Sequence, residues 1–268
     1  MPIPLHMPIG PARMPLLDHL GELRRRLTII VVALLIATVV LYEATPVLID
    51  ILIDPIREYI PDGQLTVLTA LGGFTIRFKL AMYASLIVCT PIVVWEVLAF
   101  FLPALKPNEQ KWVVPTVAAL IVLFYLGMIF CYFVALPAAF GWLYEQAADF
   151  ARIIAQAEDY IDMIVLLEIG FGIAFELPLV VFYLTALHVL PYATIRGAWR
   201  YVYVGLMGLS AVVTPDASPV TMILMFAALI SLYELSLMIA RQVIIVRDGK
   251  AALRWTREDY ANRDQGQG

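Results

Sequence analysis

The chain has 268 residues, is 62% hydrophobic and only 15% charged, and has a mean hydropathy of +0.86. A water-facing domain carries about 25% charged and about 45–50% apolar residues, so lipid must cover much of this surface. A net charge of −4 argues against nucleic-acid binding by bulk electrostatics, and two cysteines, Cys89 and Cys131, each inside an apolar run, are too few for a disulfide framework or a zinc site. His6, His19 and His188 are far apart, and no metal or other cofactor is expected.

In chain order, residues 1–13 form a proline-rich lead expected to lack structure. Arg24, Arg25 and Arg26 precede an apolar run, but no small-residue cleavage site follows, so that run reads as a retained first span, Leu27 to Tyr42. A more polar segment, Glu43 to Thr75, holds Pro46, Pro55, Pro61 and Gly63 and predicts a structured loop with a short helix near Val47–Leu52. The second span runs from Ile76 to Leu102, where Pro103, Pro107 and Asn108 break it. The third runs from Trp112 to Leu136 and is expected to end at Pro137. A partly helical loop, Ala138 to Tyr160, leads to a long fourth span, Ile161 to Leu190, with Pro178 in its middle. The fifth span, Tyr201 to Val213, is very short. After the tight loop Thr214–Pro219 the sixth covers Val220 to Ala240, its clean apolar part shortened by Glu234. The membrane domain thus spans residues 14–242, and residues 243–268 form a charged tail.

Six spans put both termini on one side. Fourteen of the eighteen Lys and Arg residues fall in the two tails and in the 103–111 and 191–200 loops; Arg57, Arg77, Lys79 and Arg152 fall on the other side. The positive-inside rule then makes both termini cytoplasmic. The fifth span reaches about 20 Å against a hydrocarbon core of about 30 Å, which predicts local thinning of the bilayer unless longer neighbours shield it.

Four carboxylates lie within spans: Glu96, Glu168, Glu176 and Glu234. Each costs about 2.5–3.5 kcal/mol at mid-helix, so each is a functional candidate. Glu96 is close enough to the cytoplasmic end to snorkel, and Glu234 stands about two turns before Arg241. Glu176 is about 22 Å from either end of its span, beside Pro178, and must meet a wet cavity, a partner or a proton. Glu168 is eight residues earlier, about 80° round an ideal helix, so both acids have the register to open onto one groove. On the cytoplasmic face stand Glu22, before the arginine run, and Glu109.

The stretch Met14-Pro-Leu-Leu-Asp-His-Leu-Gly-Glu-Leu-Arg-Arg-Arg-Leu27 resembles the N-terminal signature of the TatC family, His-Leu-x-Glu-Leu-Arg-x-Arg-Leu. Further motifs follow in that family's order: Ala99-Phe-Phe-Leu-Pro-Ala-Leu-Lys-Pro-Asn-Glu109, Phe124–Phe133, Phe171-Gly-Ile-Ala-Phe-Glu-Leu-Pro178, Arg200-Tyr-Val-Tyr-Val-Gly205 and Leu232-Tyr-Glu-Leu235. The resemblance covers Pro15 to Gln242. It implies an all-α, six-span, concave bundle with short fifth and sixth helices. It also implies a receptor for the twin-arginine signal peptides of folded cargo, working with single-span TatA/TatB-type partners and the proton gradient. In that family two acids receive the signal's arginines; they correspond to Glu22 and Glu109. Arg24, Phe100 and Leu105 correspond to other positions of the signal-binding surface, and Glu176 to the acid in mid-groove. A guanidinium pairs with a carboxylate through two parallel bonds that a lysine cannot reproduce.

The sequence departs from that family in three places. Its Thr-Pro-Pro-Asp loop reads Thr214-Pro-Asp-Ala-Ser-Pro219 here, with Ser218 in the acid's register. A Gln tied by resemblance to partner docking is Met222. Glu168 matches no motif. A proton-coupled secondary transporter using Glu168 and Glu176 is the rival reading; the two halves of the chain show no internal repeat of the kind such folds carry. No Ser/His/Asp set, H-E-x-x-H or Walker motif supports an enzyme.

Overall fold

The computed structural model describes residues 16–60, 63–101, 113–149, 154–186, 190–214, 218–255 and 259, except for the side chains of 16–19, 101 and 186. The lead, the loop with Leu105 and Glu109, and most of the tail beyond 255 lie outside the described residues. Almost everything described is helical: α1 (Leu16–Ile53), α2 (Gly72–Val88), α3 (Thr90–Phe101), α4 (Val113–Phe130), α5 (Leu136–Ala148), α6 (Ala157–Ala174), α7 (Leu177–Ala186), α8 (Tyr192–Gly197), α9 (Trp199–Val213) and α10 (Pro219–Asp248).

Four stretches are long and apolar enough to cross a membrane: Leu20–Tyr59, Val113–Ala148, Ala157–Thr185 and Pro219–Asp248. A fifth is the pair α2 and α3, bent by 56° at Cys89. The shorter apolar α9 has 15 residues, about 22 Å at 1.5 Å each. Much of the surface is apolar, as at Val39, Val40, Phe133, Val204 and Val212, which suits lipid and not water.

The helices bend and run on where prolines would be expected to stop them. Proline lacks an N–H and blocks the carbonyl four residues earlier, and inside a bilayer that carbonyl needs another donor. Three such carbonyls have one. Pro46 does not end the first helix, as the predicted loop from Glu43 required; α1 continues to Ile53, and the Tyr42 carbonyl accepts from the Thr45 hydroxyl at 2.7 Å and from Arg77 at 3.4 Å. Arg77 also donates to Thr45 Oγ1 at 2.8 Å and lies 4.8 Å over the Tyr42 ring. Pro55 frees the Ile51 carbonyl, which accepts from the Tyr132 hydroxyl at 2.8 Å. Pro91 frees the Ile87 carbonyl beside the 56° bend, and the Tyr125 hydroxyl donates to it at 2.9 Å. The second span is therefore broken at Cys89, well before Pro103.

Pro137 does not end the third span either. A π turn, Cys131–Ala135, widens the helix just ahead of the proline, and the helix passes through to Ala148. Pro178 does interrupt the fourth, between Ala174 and Leu177. α4 and α6 cross at close range. A Cβ on Gly127 would lie 2.6 Å from the Phe171 carbonyl oxygen, and one on Gly172 would lie 2.7 Å from the Phe124 ring. Small residues at a crossing bring two backbones together without a hydrophobic drive between them. The core beside this crossing is aromatic, with Phe130 5.9 Å from Phe171 and 5.7 Å from Phe175.

The sixth helix is not short. It has 30 residues and runs past Gln242 to Asp248. Glu234 does not curtail it because Arg196 and Tyr203 take up its charge. Ser218 caps this helix, accepting from the Val220 N–H at 3.2 Å, with Pro219 in the first position. A serine cap does an aspartate's work there, which accounts physically for the departure at Ser218.

Candidate functional site

The candidate site is at the end of the bundle that carries the arginine run. Glu22 and Arg26 are four residues apart on α1 and share a face. Arg26 donates from Nε and one terminal nitrogen to Glu22 Oε1, at 3.1 and 2.6 Å, and from the other terminal nitrogen to Glu96 Oε2 on α3, at 2.9 Å. One guanidinium thus clamps two helices through two carboxylates. Glu96 is the more enclosed acid, its side chain 13% exposed against 21% for Glu22. Arg24 and Arg25 stand exposed on the neighbouring positions of α1. Phe100, one turn beyond Glu96 on α3, is half-buried. Leu105 and Glu109 lie outside the described residues.

The acids within the spans have different surroundings. Glu234 on α10 is held by Arg196 at 2.8 and 2.9 Å and by the Tyr203 hydroxyl at 2.8 Å, so it joins α8, α9 and α10. Glu168 is buried within α6. Glu176 occupies the break between α6 and α7, half-buried, with Oε2 enclosed and without a hydrogen-bond partner among the described residues. The sequence-based 80° relation to Glu168 applies to an ideal helix, and the helix here is interrupted between Ala174 and Leu177. The cleft next to this break is lined by Leu123, Pro178, Leu179, Phe182, Leu232, Leu235, Ser236 and Ile239, nearly all apolar. Met222 is half-buried on the first turn of α10, its N–H bonded to the Ser218 carbonyl at 3.2 Å.

At the opposite end, Lys79 bridges Glu158 at 2.9 Å and Asp162 at 2.8 Å. Nearby, Thr66 exchanges backbone bonds with Ala155 and Ala157, at 2.8 and 2.9 Å. These contacts hold the connection before α2 against the start of α6. Sequence reasoning missed Arg26 as the organiser of the site. The four-residue spacing from Glu22 was a signal for the first half of the clamp, but nothing local pointed to Glu96, seventy positions away.

Long apolar helices, proline-freed carbonyls re-bonded inside the bundle and small-residue crossings define a multi-pass helical membrane protein. Comparison with known proteins narrows this. The family model for the Sec-independent protein translocase protein TatC matches residues 18–227. A TatC of Deinococcus radiodurans is 34% identical over 234 residues, covering 86% of this chain and 87% of that one. A TatC of Aquifex aeolicus is 31% identical over 232 residues, covering 85% and 95%. A crystal structure of a twin-arginine translocase receptor, TatC, is similar with a TM-score of 0.68 at 29% identity, covering 84% of this chain and 99% of that one. This chain belongs to the TatC family, membrane components of a protein translocase.

Proposed function

We propose that this chain is the signal-receptor core of a twin-arginine export system in a bacterial or archaeal plasma membrane. In this reading it spans the membrane six times, with both termini in the cytoplasm, as the fourteen-to-four split of basic residues favours. The α2–α3 pair and α9 then supply the two spans beyond the four long ones. The end bearing Glu22 and Arg26 faces the cytoplasm, where folded cargo arrives. Glu22 and Glu109 take the paired arginines of the signal, and Arg24, Phe100 and Leu105 complete the binding surface. TatA/TatB-type single-span proteins assemble on the membrane face, and the proton gradient drives transport. Glu176 is a hydrogen-bonding anchor for a segment entering the groove; Glu168, Met222 and Glu234 lie along the intramembrane part of that path.

The observation that carries the reading is the cluster at Glu22. Two carboxylates face one guanidinium, and both contacts to Glu22 fall on the single oxygen Oε1. A second guanidinium has both a charge to neutralise and an oxygen to meet. The experiment is complementation. In a host lacking its own TatC, this chain with its cognate single-span partners should export a folded reporter carrying a twin-arginine signal and should not export one carrying twin lysine. Equal export of both reporters would contradict the reading.

A further inference from the structure

Glu22, the proposed receptor for an incoming arginine, already holds one. Arg26 reaches it from the next turn of the same helix with two donors, at 3.1 and 2.6 Å, while a third donor rests on Glu96 at 2.9 Å. Glu22 and Glu96 carry two negative charges against the single charge of Arg26, so among the described residues the cluster is one cation short. A guanidinium arriving at Glu22 fills that deficit, but it must first displace the bonds Arg26 makes there. Arg26 need not be set free, because Glu96 is already within its reach and is the better enclosed of the two acids. An ion pair is worth more where water is less able to screen it. A rotation about the Arg26 side chain that moved its fork from Glu22 to Glu96 would give each guanidinium its own carboxylate.

We propose that Arg26 is a resident competitor for the Glu22 carboxylate and that Glu96 is the seat to which it withdraws, so that this pair sets both the affinity of the chain for a signal and its preference for arginine over lysine. The inference rests on the reading of Glu22 as a receptor for the signal. Its selectivity follows from the exchange. A lysine ammonium is a strongly hydrated point charge that cannot form the fork with which Arg26 holds the acid, so it displaces Arg26 poorly; another guanidinium meets it on equal terms. The same exchange is felt mechanically, since the Arg26–Glu96 contact ties α3, beyond the bend at Cys89, to α1.

The test uses the purified full chain in nanodiscs and the fluorescence anisotropy of labelled twin-arginine and twin-lysine signal peptides. Glu96→Gln removes the seat and leaves Arg26 on Glu22, so twin-arginine binding should weaken roughly threefold to tenfold. Arg26→Gln with Glu96→Gln removes the competitor and leaves no stranded charge, so binding should tighten by roughly the same factor and the preference over twin lysine should narrow. Arg26→Lys, which keeps the charge and loses the fork, should tighten binding by a smaller factor, and it carries the test should the double variant fail to insert. Opposite signs from the Glu96 variant and the Arg26 variants cannot come from a shared loss of structure. Binding by Glu96→Gln equal to or tighter than wild type, or a lack of tightening in the Arg26 variants, would overturn the inference. Glu22→Gln separates the two levels: if it binds the signal as wild type does, the reading of Glu22 itself fails.

Discussion

The Tyr125 hydroxyl donates to the Ile87 carbonyl oxygen at 2.9 Å, and that carbonyl is the one Pro91 excludes from the helix ladder. The contact links α4 to the bend that separates α2 from α3, and so helps aim the helix that carries Glu96 and Phe100. Tyr125→Phe strands a carbonyl inside the bundle and should cost about 1 kcal/mol, seen as a lower thermal unfolding midpoint in detergent. In a Pro91→Ala background the helix can bond its own carbonyl, so the same substitution should then cost little. Equal losses in both backgrounds would show that the hydroxyl is not compensating for the proline.

Arg196 and Glu234 form the second internal pair, with Glu234 set in the 30-residue apolar helix α10. Arg196 is half exposed, so Arg196→Ala, which leaves the carboxylate without its cation, should destabilise the chain by no more than about 1 kcal/mol. Adding Glu234→Leu should recover most of that loss. A double variant as unstable as Arg196→Ala alone would mean that the pair is not what holds α8 to α10.

Much of this architecture is legible in the sequence. Apolar runs place the membrane segments, and the short α9 and the break beside Pro178 follow from length and from proline chemistry. The errors share one cause. Pro46 and Pro137 read as endpoints in the sequence, whereas a helix survives a proline when a residue far away in sequence supplies the missing donor or a π turn makes room. Arg77, Tyr125 and Tyr132 do this from other helices, at separations of 35, 38 and 81 residues. The sixth helix looked short for a related reason: Glu234 is costly only until Arg196 and Tyr203 are brought to it. At the site, Glu22 and Arg24 are visible by resemblance, while the Arg26–Glu96 bond belongs to the tertiary structure alone.

Glu176 offers a test of how the groove works. Among the described residues its Oε2 is enclosed and unpartnered at the break between α6 and α7, where a polar atom without a bond is costly. If it anchors an entering segment by hydrogen bonding, Glu176→Gln should transport cargo nearly as well as wild type. Glu176→Leu should bind the signal peptide but fail at partner assembly. Gln failing as badly as Leu would point instead to proton transfer, and a wild-type rate for Leu would remove the functional role.

The 15 residues of α9 leave it short of the hydrocarbon thickness. Spin labels along Tyr201–Val213 should show access to a lipid-soluble quencher over a clearly narrower band than labels along Val113–Leu136. Bands of equal width would reject local thinning of the bilayer.

The central claim is the proposal that Glu22 and Glu109 together receive the signal. Its most direct measurement is photocrosslinking of a twin-arginine signal peptide to the membrane-inserted chain, comparing wild type with Glu22→Ala, Glu109→Ala and the double substitution. The account predicts reduced crosslinking for each single variant, with Glu109→Ala the weaker binder, and near-complete loss for the double variant, all at normal insertion. Crosslinking by the double variant at the wild-type level would contradict it.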